Sequence, residues 1–267
     1  MNLNKTHKAN IKVHSELLEK GIYQTSIHKS KRNKIKLSQF LNRFKKNNLT
    51  HLDCGCGDGF VFDCSPHNFL SYGVDITDAM LAECKKKFPK VFLKKALVEK
   101  LPFDNNFFDL STSYSFLDHL KNREKYYLEV YRTLKFDGIF FSGLIPNFYF
   151  YNTFILKKIF NNSILPKNVI DDELLKAYSD GDHYHEQYNI NRNDLDLCEP
   201  GKSIENGINP YIELKILEKI GFKEIEIEFD WIVGENFITD KTLINNIYEA
   251  SDLCSSAFKY FNIYAKK

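Results

Sequence analysis

Three observations predict an α/β fold in which a parallel sheet is covered by helices on both faces. Apolar, strand-like runs alternate with helical patterns between residues 49 and 145. Each crossover is long enough for a right-handed strand–helix–strand unit. The first strand runs directly into a glycine turn, "LDCGCGDG", at the kind of edge where such sheets bind ligands.

The elements follow in order. Residues 10–20 and 34–46 have helical spacing, the second through Ile35, Leu37, Phe40, Leu41 and Phe44. A strand over 49–54 ends at the turn. "SYGVDI" (71–76) is a second strand ending in Asp75, and Thr77 stands at the N-cap of a helix through Met80 and Leu81. Lysines 85–87 suit that helix's C-terminus. "VFL" (91–93) and "FFDLSTSY" (107–114) are the third and fourth strands, residues 122–135 an amphipathic helix stopped by "FDG", and "IFFSGLI" (139–145) the fifth strand. Residues 146–210 break the rhythm with aromatics, asparagines, prolines and acids, which marks an insertion and a candidate lid. A helix over 211–222, a strand over 223–229, a helical stretch near 240–257 and a strand over 259–265 complete the chain. The organisation expected is a basic helical segment, 1–48, followed by one domain, 49–267, carrying that insertion.

Hydrophobic content of 43% and charged content of 27% predict a packed core. Six cysteines form no C-x-x-C pair in a chain too long for a disulfide scaffold, which fits reduced thiols in a cytoplasmic protein. No signal peptide opens the sequence. The longest apolar stretch, 138–156, is broken by Pro146, Asn147 and Asn152, whereas a membrane span needs about 20 mostly apolar residues. Net charge is +2, but residues 1–50 hold twelve Lys/Arg against two Asp/Glu. That segment is either a solvated basic face or an arm that steers anionic partners.

The turn carries the chemistry. Gly55, Gly57 and Gly59 let a ligand approach the backbone and permit positive φ. Their spacing, G-x-G-x-G, is not the G-x-G-x-x-G of dinucleotide enzymes. Asp53 precedes them and can accept from an ammonium. Asp75 is placed to accept from ribose hydroxyls and would repel a 2′-phosphate. Cys54-x-Cys56 lacks the spacing and second ligand pair of a zinc knuckle, so the cysteines read as small residues in a tight turn and no metal is expected.

These segments resemble the class I S-adenosylmethionine-dependent methyltransferases, in the broad branch that includes quinone-biosynthesis enzymes. "LDCGCGDG", "GVDITDAML", "ALVEKLPFDNNFFDL", "FLDHL" and "EVYRTLKFDGIFF" follow that family's order and spacing over about 49–145, and "GF-x-x-I" (221–225) adds its penultimate strand. The resemblance implies a Rossmann-like three-layer fold, a seven-stranded mostly parallel sheet whose last strand is antiparallel, and S-adenosylmethionine as cofactor. It implies that Asp53, Gly55 and Gly57 hold the methionine end, with Asp75 on the ribose, and Cys54 is counted with the cofactor-binding residues. Ile76 would lie against the adenine and Val98 would offer its backbone N–H to the base, Met80 and Leu97 are counted with the cofactor-binding residues, and Ser113 and Tyr114 would flank the sulfonium. In place of the family's acid two residues before Glu99 stands Leu97. Ser65-Pro66 must shorten the helix after the turn, because proline is costly in a helix interior.

Acceptor-side candidates are His119, in "FLDHL", as base or substrate contact; Tyr114; and His185, which with His183 and Glu186 lies in the insertion. A lid would enclose a small acceptor, methylated on oxygen and possibly anionic or carrier-linked. The alternatives are an RNA or protein methyltransferase, supported by the basic start alone, and a non-catalytic cofactor-binding protein. The base-methylating signature N/D-P-P-Y/F is absent after the fourth strand, where "TSYSF" stands, so nucleic acid is disfavoured. The sequence leaves the oligomeric state open.

Overall fold

The computed structural model describes residues 3–152, 184–235, 238–253 and 255–267. Seven strands form one sheet: β1 (Thr50–Cys54), β2 (Leu70–Asp75), β3 (Phe92–Lys95), β4 (Phe108–Tyr114), β5 (Leu134–Pro146), β6 (Lys223–Ile232) and β7 (Phe258–Lys266), in the order β3-β2-β1-β4-β5-β7-β6. Strands β1 to β5 pair in parallel, and β7 is antiparallel to both β5 and β6. This is the Rossmann-like arrangement expected. Strand order reverses between β1 and β4, which places the glycine turn at the switch point.

Nine α-helices have described bounds: α1 (Lys5–Glu19), α2 (Lys31–Leu41), α3 (Phe60–Cys64), α4 (Asp78–Lys87), α5 (Arg123–Thr133), α6 (Arg192–Cys198), α7 (Pro200–Ser203), α8 (Pro210–Ile220) and α9 (Lys241–Glu249). Helix α3 is only five residues long. Ser65, held extended before Pro66, stops it as the sequence requires. Thr77 is the N-cap of α4, but its side chain accepts no capping bond; the Asp75 carboxylate takes the Thr77 N–H instead. Helix α2 ends at Leu41, earlier than its apolar spacing suggests, and Phe44 folds back edge-on to Phe40 with ring centroids 5.3 Å apart.

The two sheet faces bury separate cores. Phe140 belongs to one and its neighbour Phe141 to the other, as a pleated strand alternates; Phe108 and Leu110, two residues apart, also fall in different cores because the β4–β5 register shifts between them. Leu37, Phe40 and Leu41 of α2 complete the second core, each worth about 1.5–3 kcal/mol when buried. Helix α1 packs Ala9 and Val13 on Ile190 and Cys198. No helix among the described residues is long and apolar enough to cross a membrane.

The charge asymmetry has an internal explanation. Lys12, Lys29, Arg32, Lys34, Lys36 and Lys46 pair with Asp194, Asp58, Asp230, Asp63, Asp230 and Asp109 respectively. Half of the twelve basic residues in 1–50 are thus matched to acids of the remaining chain.

Candidate functional site

The site is built from the turn outward. β1 ends at Cys54, and the N–H groups of Gly55 and Cys56 both donate to the Val74 carbonyl, at 2.8 and 3.0 Å. Gly55 and Gly57 have φ of +68° and +50°. A Cβ on Gly55 would stand 2.2 Å from the Phe116 ring, and one on Gly57 2.6 Å from the Tyr23 hydroxyl. Only glycine fits either position. The Gly57 N–H donates to Asp75 Oδ2 at 3.0 Å, which ties the turn to the end of β2.

Asp53 is buried beside β4, where its Oδ1 accepts from Thr112 Oγ1 at 2.7 Å. His51 Nε2 lies 2.8 Å from the same hydroxyl. Burial pushes Asp53 up to about 8, opposed by the Thr112 bond and helped by the Asp75 charge. Burial also pushes His51 down to about 3, so its ring is neutral. Asp58, buried in the turn, is held below the usual carboxylate range despite its desolvation, because Lys29 and Lys87 bond it at 2.6 and 2.5 Å.

The expected site residues are placed as follows. Asp53, Gly55, Gly57 and Asp75 come together at the switch point. Ile76 is half-buried after Asp75, Met80 is buried in α4, and Leu97 and Val98 lie half-buried and buried in the loop after β3. The Cys54 side chain is fully buried in the core, so only its backbone borders the turn. The Ser113 hydroxyl is also turned into the sheet, 2.8 Å from Ser142 Oγ. Tyr114 is half-buried against Phe60, and its phenol is pushed well up by burial and the Asp230 charge. Glu99 bonds His7 Nε2 at 3.2 Å, which pins the start of α1 beside Val98. His185 is exposed, its Nδ1 2.8 Å from the Ile190 carbonyl, and no described contact joins it to the other candidates. His183 lies outside the described residues.

The sequence did not point to the groups that link His119 to Tyr114. Rings run in T-shaped contact from His119 to His14 (5.0 Å), Tyr23 (6.0 Å), His28 (5.4 Å) and Phe60 (5.8 Å), and Phe60 meets Tyr114 at a tilt (5.6 Å). Three of these six come from residues 1–48, which therefore cover the glycine turn. Gln24 adds a bond to Asp58 at 3.4 Å. The only signal in the sequence was the aromatic and histidine content of a segment otherwise read by its charge. His28 is pushed down to about 3, chiefly by burial and then by Lys29.

Residues 52–142 match the methyltransferase-domain family. A carboxy-S-adenosyl-L-methionine synthase of Nautilia profundicola is 29% identical over 218 residues, covering 75% of this chain and 81% of that one. A S-adenosylmethionine-dependent methyltransferase of Archaeoglobus fulgidus superposes with a TM-score of 0.53 at 19% identity, over 88% of this chain and 92% of that one. Phosphoethanolamine N-methyltransferase 2 of Haemonchus contortus, solved with S-adenosyl-L-methionine, superposes with a TM-score of 0.52 at 17% identity, over 89% of this chain and 52% of that one. The cradle fits that cofactor on its own geometry: two positive-φ glycines that leave no room for a Cβ, and carboxylates at the ends of β1 and β2. Residues 52–142 therefore carry a S-adenosylmethionine-dependent methyltransferase domain, with S-adenosylmethionine as its cofactor.

Proposed function

We propose that the protein methylates a small molecule on oxygen, with the acceptor enclosed between the cofactor cradle and the rings of the N-terminal segment. The observation that carries this reading is the ring series from His119 to Tyr114, three members of which fold over the glycine turn. A cleft covered in this way suits a small acceptor better than a nucleic acid, and the internal pairing of Lys12, Lys29, Arg32, Lys34, Lys36 and Lys46 leaves less basic surface for phosphates.

S-Adenosylmethionine, when bound, supplies an electrophilic methyl group on a sulfonium. The chain's own residues bind and align. Asp75 would hold the ribose, Asp53 and the amides of the turn the methionine end, and Ile76, Met80, Leu97 and Val98 the base. His119 and Tyr114 bound the acceptor space at its two ends. The Tyr114 phenol, kept protonated by burial, would donate a hydrogen bond to the acceptor. The covering rings exclude water, and alignment of this kind supplies several kcal/mol of barrier reduction, up to about 7–11 kcal/mol at its limit.

A second reading keeps the cofactor and changes the product. The relative from Nautilia profundicola is named for making a carboxylated S-adenosylmethionine, over 75% of this chain's length. One experiment separates the readings. The protein is incubated with methyl-labelled S-adenosylmethionine and a panel of phenols, hydroxy acids and total RNA. Label on a small hydroxylated compound, with release of S-adenosylhomocysteine, supports the first reading. A cofactor that itself gains a carboxyl group supports the second. Label on RNA overturns both.

A further inference from the structure

A second cluster of ligating groups stands at the carboxyl edge of the sheet, outside the cofactor cradle. Asp118, His119 and Glu199 offer three atoms within 4.8 Å of one another. Asp118 and His119 lie in the 3₁₀ turn Leu117–His119 after β4, and Glu199 joins α6 to α7. Gly201 lets the two segments meet, since a Cβ there would stand 2.7 Å from the Asp118 Cα. We propose that these three side chains bind one divalent transition-metal cation of the Mn²⁺ or Zn²⁺ type.

The tautomer of His119 is the first argument. Its Nδ1 lies 3.1 Å from the Cys198 carbonyl, which can only accept, so Nδ1 carries the proton and Nε2 the lone pair. A ring nitrogen donating to a backbone carbonyl is the usual outer-shell support of a metal-bound histidine. It also decides between two groupings. Cys198 Sγ is 3.7 Å from His119 Nδ1, the nitrogen already spent, so His14 and Cys198 do not share the free lone pair.

The carboxylates give the second argument. Asp118 is 1% exposed, and among the described residues its Oδ1 accepts no hydrogen bond. A buried carboxylate oxygen left without a donor is costly and calls for a partner. Lys202 Nζ takes the other oxygens, Asp118 Oδ2 at 3.3 Å and Glu199 Oε2 at 2.9 Å. One ammonium between two carboxylates leaves a net negative charge beside His119. Glu199 Oε1 is 3.9 Å from His119 Nε2, too far for a hydrogen bond. Two metal–ligand bonds of about 2.0–2.2 Å each span that gap with little movement. Two carboxylates and an imidazole suit Mn²⁺ or Zn²⁺, with water completing the sphere. In the reaction proposed above, such an ion would hold an acceptor oxygen, and His119 would ligate rather than take a proton; the binding itself does not depend on that reading.

The test is a titration of the metal-stripped full-length protein with MnCl₂, following free Mn²⁺ by electron paramagnetic resonance. Uptake of one equivalent is expected, with Asp118→Asn, His119→Gln and Glu199→Gln each weakening it by about tenfold or more. Lys202→Met should tighten binding by removing a competing ammonium, and Asp194→Asn, which alters only the Lys12 pair, should leave it unchanged. Thermal melts identify any variant that fails to fold. Glu199 is the least buried of the three ligands, so Glu199→Gln keeps the test valid if Asp118→Asn does not fold. No Mn²⁺ uptake at millimolar concentration, or uptake unchanged in Glu199→Gln, overturns the proposal. Cofactor binding, measured separately by calorimetry, reports on the methyltransferase reading alone.

Discussion

The Gly57 amide donates to Asp75 Oδ2 at 3.0 Å, while Oδ1 of the same carboxylate accepts from the Thr77 amide at 2.8 Å. One side chain thus fastens the glycine turn, the end of β2 and the start of α4. The residue expected to bind ribose also fixes the shape of the cradle.

Asp75→Ala removes both bonds and the ribose acceptor. Calorimetry with S-adenosylmethionine should show affinity at least tenfold weaker, about 1.4 kcal/mol or more. Affinity equal to wild type would place the cofactor elsewhere.

Gly55→Ala sets a Cβ 2.2 Å from the Phe116 ring at a φ of +68°. Strain of this kind costs on the order of 1–3 kcal/mol, and each kcal/mol lowers the melting temperature of a domain of this size by about 2–4 °C. Differential scanning calorimetry should show the drop. Adding Phe116→Ala should recover only part of it, because the backbone strain remains.

Asp53 gives the folded state a pH dependence of known sign. Its folded pKa, about 8, lies above the unfolded value. The folded chain therefore holds a proton that the unfolded chain has lost, and the protonated group's contribution, complete below about pH 4, disappears as pH rises toward 8. His51 and His28 act oppositely and in another window. Their depressed pKa values, about 3, make stability fall as pH drops below about 6.5. Asp53→Asn should remove the first dependence alone. Urea unfolding from pH 5 to 8 should show wild type losing stability relative to this variant by up to about 1.4 kcal/mol per pH unit. Parallel curves would place the Asp53 pKa near its ordinary value. Binding of the cofactor's ammonium should also strengthen over the same range in wild type.

Asp58→Asn leaves the Lys29 ammonium, itself mostly buried, without its 2.6 Å partner. Removing one member of a buried pair costs about 3–5 kcal/mol at its upper range. Hydrogen exchange over residues 22–29 should quicken more than exchange in the strands. Uniform quickening would mean that Asp58 does not anchor this segment locally.

The alternation of strands and helices, the glycine turn and Asp75 were legible in the sequence, because their signals are local: period, spacing and residues that tolerate positive φ. Ser65-Pro66 even fixed the brevity of α3. The chain's own order therefore determined the fold class and the cofactor. Three things waited for the tertiary structure. The Cys54 and Ser113 side chains are buried, because helices cover both faces of the sheet and leave neither parity of β1 or β4 exposed at these positions. The basic start pairs with acids up to some 200 residues away, Arg32 with Asp230 among them. The rings of His14, Tyr23 and His28 meet His119 and Tyr114, and Glu199 meets Asp118, only when α1 and α6 pack together over the carboxyl edge. Contacts between residues that distant depend on how helices cross a sheet, and no spacing along the chain encodes that.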